Sequence, residues 1–193
     1  FYPSLAEVEA YEQFAAAMPA VAPVALKGWN ADVIAEAKPA SAHTSAILDH
    51  QGWVFYTSGV QQEGAIAAGD GIITTKNGTT FQLADYESHN ALVIKDLFNP
   101  HPLEFETPER CEEIYILMVS ANGQAAVATS VTYDDNTSGN GEVFAPKDWF
   151  SDSPEGNEAV YGLGRIMTKN ESPYVSDQID ERYKFRLYEF TMK

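Results

Sequence analysis

Beyond Trp53 the chain is written in short apolar and β-branched runs, each closed by turn-forming residues within roughly ten positions. The runs are WVFYTS at 53–58, IITTKNGTTFQL at 72–83, NALVIK at 90–95, LEFET at 103–107, EIYILMV at 113–119, QAAVATSVTY at 124–133, AVYGLGRIM at 159–167 and KFRLYEFTM at 184–192. The segments between them lack the helical rhythm of βαβ units, which argues against a doubly wound sheet. Half-buried strands at this spacing, with turns between, predict an all-β fold, an antiparallel β-sandwich of about eight to ten strands. A length of 193 residues suits one such domain.

Individual runs carry more detail. Asn77-Gly78 sits between β-branched flanks and predicts a two-residue hairpin of type I′, with positive φ at both residues. EIYILMV is apolar throughout, as a central strand would be. QAAVATSVTY alternates, so Val127, Thr129, Val131 and Tyr133 share one face. DDNTSGNG at 134–141 predicts an open loop. The glycines of GLGR predict a bulge or a close backbone approach within a strand.

The N-terminal stretch has a different period. In PSLAEVEAYEQFAAAM, Leu5, Val8, Tyr11, Ala15 and Met18 recur at helical spacing. Ser4 and Glu7 form a capping-box pattern, and Pro19 ends the helix. The expected organisation is therefore a short N-terminal helix and linker over 1–24, then a β-sandwich domain over 25–193.

Net charge is −16, from 12 basic and 28 acidic residues. Phosphate backbones and anionic lipid surfaces would both be repelled, so nucleic acid and membrane association are disfavoured. No stretch has the length of a membrane-spanning helix. The start at Phe1 is expected to follow a removed leader, with the protein secreted or at the cell surface. Cys111, the one cysteine, lies at the mouth of an apolar run and is expected to be a buried thiol. Its acidic neighbours supply no positive field for a thiolate nucleophile.

Catalytic signatures are missing. There is no G-x-S-x-G, H-E-x-x-H or P-loop pattern. His43, His50, His89 and His101 do not fall at ligand spacing; His89, beside Tyr86 and Asn90 in a polar loop, is the best placed to act. Asp134, Asp135 and Asn136, or Asp152 and Glu155, are candidates for a structural calcium, which takes oxygen ligands from loops. Neither group has EF-hand spacing, and solvated loop charge is the simpler account; no other cofactor is expected. Two carboxylates suited to glycoside hydrolysis cannot be singled out among 28 acidic residues.

From Phe81 onward, the order FQLADYESHNALVI, EIYILMVSANGQAAVATSVTY, DWF, VYGLGRI and FRLYEF resembles a module of Bacteroidetes secreted and surface proteins. That module is of the galactose-binding-like, jelly-roll class of carbohydrate-binding modules. The chain departs from it in the longer, more acidic loop DDNTSGNG and in the inserted segment TKNESPYVSDQIDERY. The resemblance implies a jelly-roll sandwich and a non-catalytic glycan-binding role, with a polysaccharide or glycan as partner and other domains of a larger protein as neighbours. It brings no catalytic residues.

DWFSDSPEGNEAVYGLGR then admits two accounts of Trp149. Either it caps the end of the core, with Arg165 bonding loop carbonyls, or it stacks on a sugar ring while Tyr86, His89, Asn90 and Arg165 bond hydroxyls. A structural or adhesive module, and a glycoside hydrolase or lyase accessory domain, are the alternatives to glycan binding. The hydrolase alternative requires a cleft with two close carboxylates, one of them with a raised pKa.

Overall fold

The structure is a computed structural model. It describes residues 21–67, 70–94, 101–108, 110–152 and 157–193, the side chain of residue 140 excepted. The expected N-terminal helix lies outside the described residues.

The fold is all-β. The strands are β1 (Leu26–Lys27), β2 (Ile34–Ala35), β3 (Trp53–Tyr56), β4 (Ile72–Thr74), β5 (Thr80–Gln82), β6 (Glu104–Phe105), β7 (Ile114–Met118), β8 (Val127–Thr132), β9 (Ser138–Phe144), β10 (Glu158–Met167) and β11 (Ile179–Met192). The main sheet has five strands in the order β2-β3-β10-β11-β7. β1–β6, β4–β5 and β8–β9 form separate antiparallel pairs.

The sheet departs from the expected pattern in two places. β2 runs parallel to β3, so the pairing is mixed rather than wholly antiparallel. β7 lies at an edge of the sheet instead of its centre, paired to β11 from Ile114↔Met192 to Met118↔Tyr188. Its residues are half-buried, because the sheet and the β8–β9 hairpin cover them only in part. Apolar character on both faces reports cover above and below a strand, not neighbours on both sides.

Period-2 alternation divides the long strands between separate clusters. On β3, Trp53 and Phe55 join the largest core cluster, while Val54 and Tyr56 join a second with Ala35, Ala40 and Ile166. On β11, Phe185 and Leu187 face the first cluster. Tyr188, Phe190 and Met192 face a third with Phe144. Both faces of the central strands are thus covered. On β8, Val127, Thr129 and Val131 are the less exposed residues, as their alternation predicts.

The hairpin at Asn77-Gly78 is longer than a type I′ turn. Thr75 N donates to Thr79 O (2.9 Å) and Gly78 N to Thr75 O (3.0 Å), with positive φ (88°) at Gly78 and not at Asn77. This is a type I turn closed by a glycine bulge. Tertiary bonds select it. Lys76 N donates to Ala159 O (3.0 Å), and Glu189 accepts from the hydroxyls of Thr75 (2.7 Å) and Thr79 (2.8 Å).

Three further runs differ from expectation. Residues 90–94 form no strand, only an isolated bridge of Ala91 to Ala31. The loop at 134–141 is shorter than expected, since β9 begins at Ser138 and the turn is confined to 134–137. There Gly139 lies under the Tyr133 ring and Gly141 against the Thr129 backbone, so these glycines serve close strand packing. Cys111 is exposed rather than buried, because the chain has not yet entered β7 at that point.

GLGR behaves as its glycines predict. Register shifts fall between Tyr161 and Leu163 and between Leu163 and Arg165, with φ of 91° at Gly162. A Cβ on Gly164 would strike the Tyr56 ring.

Candidate functional site

The five residues expected to form a sugar site do not meet around one opening. Trp149 is 2% exposed. Its ring stands edge-on to Phe55 (5.3 Å between centroids) and tilted against Phe185 (4.9 Å), so it closes the core and presents no stacking face to a ligand.

Arg165 is also buried, and its partners are not loop carbonyls. Its Nε donates to Asp180 Oδ2 (3.0 Å) and its Nη1 to Asp49 Oδ2 (3.3 Å). The guanidinium stacks between Trp53 (4.2 Å) and Phe185 (4.5 Å). Asp49 turns the chain into β3 by accepting from the backbone N–H groups of Gln51, Gly52 and Trp53. Burial pushes the Asp180 carboxyl up, but hydrogen bonds and charge from Arg182 and Arg165 outweigh it and hold it below the usual range. Arg165 is a buried structural cation, paired with two carboxylates and packed between aromatic rings.

The loop at 85–90 separates the other three. The ring of Tyr86 packs against the main core, with its hydroxyl buried and without a hydrogen-bond partner among the described residues. Burial, and secondarily Asp70, raise its pKa. Asn90 is a buried clamp, accepting from Val33 N (3.0 Å) and donating to Asp32 Oδ1 (2.5 Å). His89 alone faces outward, its Nδ1 3.3 Å from Trp29 O.

His89 stands on the rim of an open trough of about 540 Å³. One wall is the segment from Asp32 to Ser45, the other Glu87, Ser88 and His89. The walls are fixed locally. Asp32 N donates to Ser45 Oγ (2.9 Å), and Asp32 O accepts from Ser45 N and Ala46 N. Across the trough, Asn90 N and Ala91 N donate to Ala31 O (2.9 Å each).

The trough is polar. His43 Nδ1 lies 2.5 Å from Glu36 Oε1, while Glu36 Oε2 is buried without a hydrogen-bond partner among the described residues. Burial raises the Asp32 carboxyl pKa and Glu36 adds to the rise, against the Asn90 bond, the Ile34 N–H and His89. Hydroxyls of Thr44, Ser45 and Ser88 complete the lining. Such a surface offers donors and acceptors side by side and, among the described residues, no Lys or Arg.

Asp32, Glu36, His43 and Glu87 were not singled out in the sequence. Acidic residues are too numerous here for Asp32 and Glu36 to stand apart, and His43 approaches Glu36 only because the turn at Ala40–Ala42 folds the chain back.

Of the calcium candidates, Asp135 and Asp152 have partners within the chain. Asp135 Oδ1 accepts from Thr137 N (2.8 Å) and Thr137 Oγ1 (2.6 Å), closing the β8–β9 turn; those bonds hold its carboxyl below the usual range. Asn136 has positive φ (64°) in that turn. Asp152 lies 3.7 Å from Lys184 Nζ, and Glu155 lies outside the described residues. Among the described residues, no group of three or more His, Cys, Asp or Glu side chains is placed to hold a metal ion. No helix among them is long and apolar enough to cross a membrane.

Comparison with known proteins returns no matching family model, curated protein or solved structure.

Proposed function

We propose that the chain is a non-catalytic glycan-binding module of a bacterial secreted or cell-surface protein, built as a galactose-binding-like jelly-roll sandwich. The trough between Asp32–Ser45 and Glu87–His89 carries this reading. Sugar hydroxyls both donate and accept. Carboxylates, imidazoles and side-chain hydroxyls on facing walls match them. Among the described residues the lining contains no Lys or Arg, and the chain carries a net charge of −16, so neutral glycans are favoured over uronates or sulfated sugars.

Affinity electrophoresis in gels containing neutral polysaccharides tests the proposal. Retention by at least one of them is expected, and Glu87→Ala combined with His89→Ala should remove it, since both side chains are exposed on the rim. Free migration in every gel would defeat it.

A second reading has its own observation. Asp32, with its raised pKa, and Glu36 share one trough, the pairing that acid–base hydrolysis of a glycoside requires. Turnover of aryl glycosides by the parent and its loss in Asp32→Asn would favour this reading over binding alone.

A further inference from the structure

A second polar groove, also of about 540 Å³, lies where the β4–β5 turn, β9 and β11 meet. Asn77, Gln124, Glu142, Val143, Asn157 and Glu189 line it. None of them belongs to the trough at His89.

One wall carries a buried charge. Glu189 is 9% exposed, and its carboxylate accepts from Thr75 Oγ1 (2.7 Å), Thr79 Oγ1 (2.8 Å) and, weakly, Asn77 Nδ2 (3.4 Å). All three donors are neutral. Among the described residues the ion pairs are made by other carboxylates, and none reaches Glu189. A buried carboxylate is costly unless its lone pairs are filled, and this one retains accepting capacity beside a groove. Glu142 adds a second carboxylate, which among the described residues accepts only from Lys193 N (3.2 Å).

The rim adds two things. Primary amides of Asn77, Gln124 and Asn157 each offer a donor and an acceptor. Val143, 72% exposed, supplies an aliphatic surface beside them.

We propose that this groove is a saccharide-binding site for an uncharged sugar, separate from the trough. Hydroxyls can donate to the two carboxylates and also accept from the amide NH₂ groups. An ammonium could only donate, and so could accept nothing from those NH₂ groups, of which Asn77 and Gln124 hold only long bonds to Glu189 and Ala145 O (3.4 Å each). An anionic sugar would face two carboxylates with no Lys, Arg or His among the described lining residues to receive it. The C–H face of a pyranose ring would lie on Val143.

The test is an amide-resolved NMR titration of the full chain with neutral hexaoses of glucose, mannose, xylose and galactose, and with chitosan and galacturonate hexaoses. At least one neutral hexaose should move the backbone signals of residues 142–145 and 189–191. Gln124→Ala combined with Asn157→Ala, both exposed positions, should weaken that binding about tenfold or more with an unchanged melting temperature. Glu87→Ala in the trough should leave it intact. Shifts confined to residues 32–45 and 87–89 would support the trough and overturn this site. The site is equally overturned if no neutral hexaose moves its signals, if a charged hexaose binds it more tightly, or if the double variant binds like the parent.

Discussion

Replacing Arg165 by methionine probes the interior most directly. The side chain is 8% exposed, and its partners Asp49 and Asp180 are 6% and 8% exposed. Methionine can occupy the slot between Trp53 and Phe185, so lost packing is small and the charge dominates. Removing one member of a buried ion pair costs about 3–5 kcal/mol, because the other is left uncompensated. Here the lower end applies. Asp49 keeps three backbone N–H donors and Asp180 keeps Arg182. A loss of about 3 kcal/mol lowers the melting temperature by roughly 6–12 °C for a domain of this size. The pH dependence supplies a second readout. The folded pKa of Asp180 is depressed, so its contribution is fully present above the unfolded value near ~3.9 and lost as pH falls through the folded value. Arg165→Met removes part of that contribution. The gap between variant and parent should therefore be widest near neutrality and narrow on acidification below about pH 4. Calorimetric or fluorescence melts across this range measure it. A variant melting within about 2 °C of the parent at neutral pH, or a gap that does not change with pH, would refute the reasoning.

Other substitutions test separate contacts. Trp149→Ala should cost about 3–5 kcal/mol in a urea titration, since a fully packed ring leaves a cavity; a loss below about 1 kcal/mol would mean the site is not core. Gly164→Ala should destabilise by about 1–3 kcal/mol, because the added methyl meets the Tyr56 ring, itself held by its hydroxyl's bond to Glu63 O (2.6 Å). Gly78→Val should cost about 1–2 kcal/mol from backbone strain alone, since nothing lies within 4 Å of the new Cβ. Asn77→Ala, at a position without positive φ, should cost no more than about 1 kcal/mol in the same titration, since it removes only the long bond to Glu189 (3.4 Å); a loss above about 2 kcal/mol would refute this.

Much of the strand content was legible because alternation and turn residues are local. WVFYTS, the flanks of Asn77-Gly78, EIYILMV, the alternating run at 127–132 and the two long C-terminal runs all became strands. The glycines of GLGR announced a bulge and a close approach for the same reason: a missing Cβ is a local property.

What the chain could not announce was which strands are neighbours. A period of two assigns side chains to faces and is silent about the edge, so EIYILMV reads as central and lies outermost. NALVIK has the composition of a strand, yet residues 90–94 find only one bridge, because a strand is completed by its partner's hydrogen bonds. The candidate site divides the same way. Trp149, Tyr86, His89, Asn90 and Arg165 look alike in sequence, as aromatic or polar residues in loops or in the strand runs beside them. Tertiary structure sends Arg165 inward to Asp49, 116 positions away, and turns Asn90 onto Val33 and Asp32. His89 is left facing solvent opposite Asp32, Glu36 and His43. A buried cation needs carboxylates within hydrogen-bond reach, and only the folded chain brings residues so far apart in sequence to that distance.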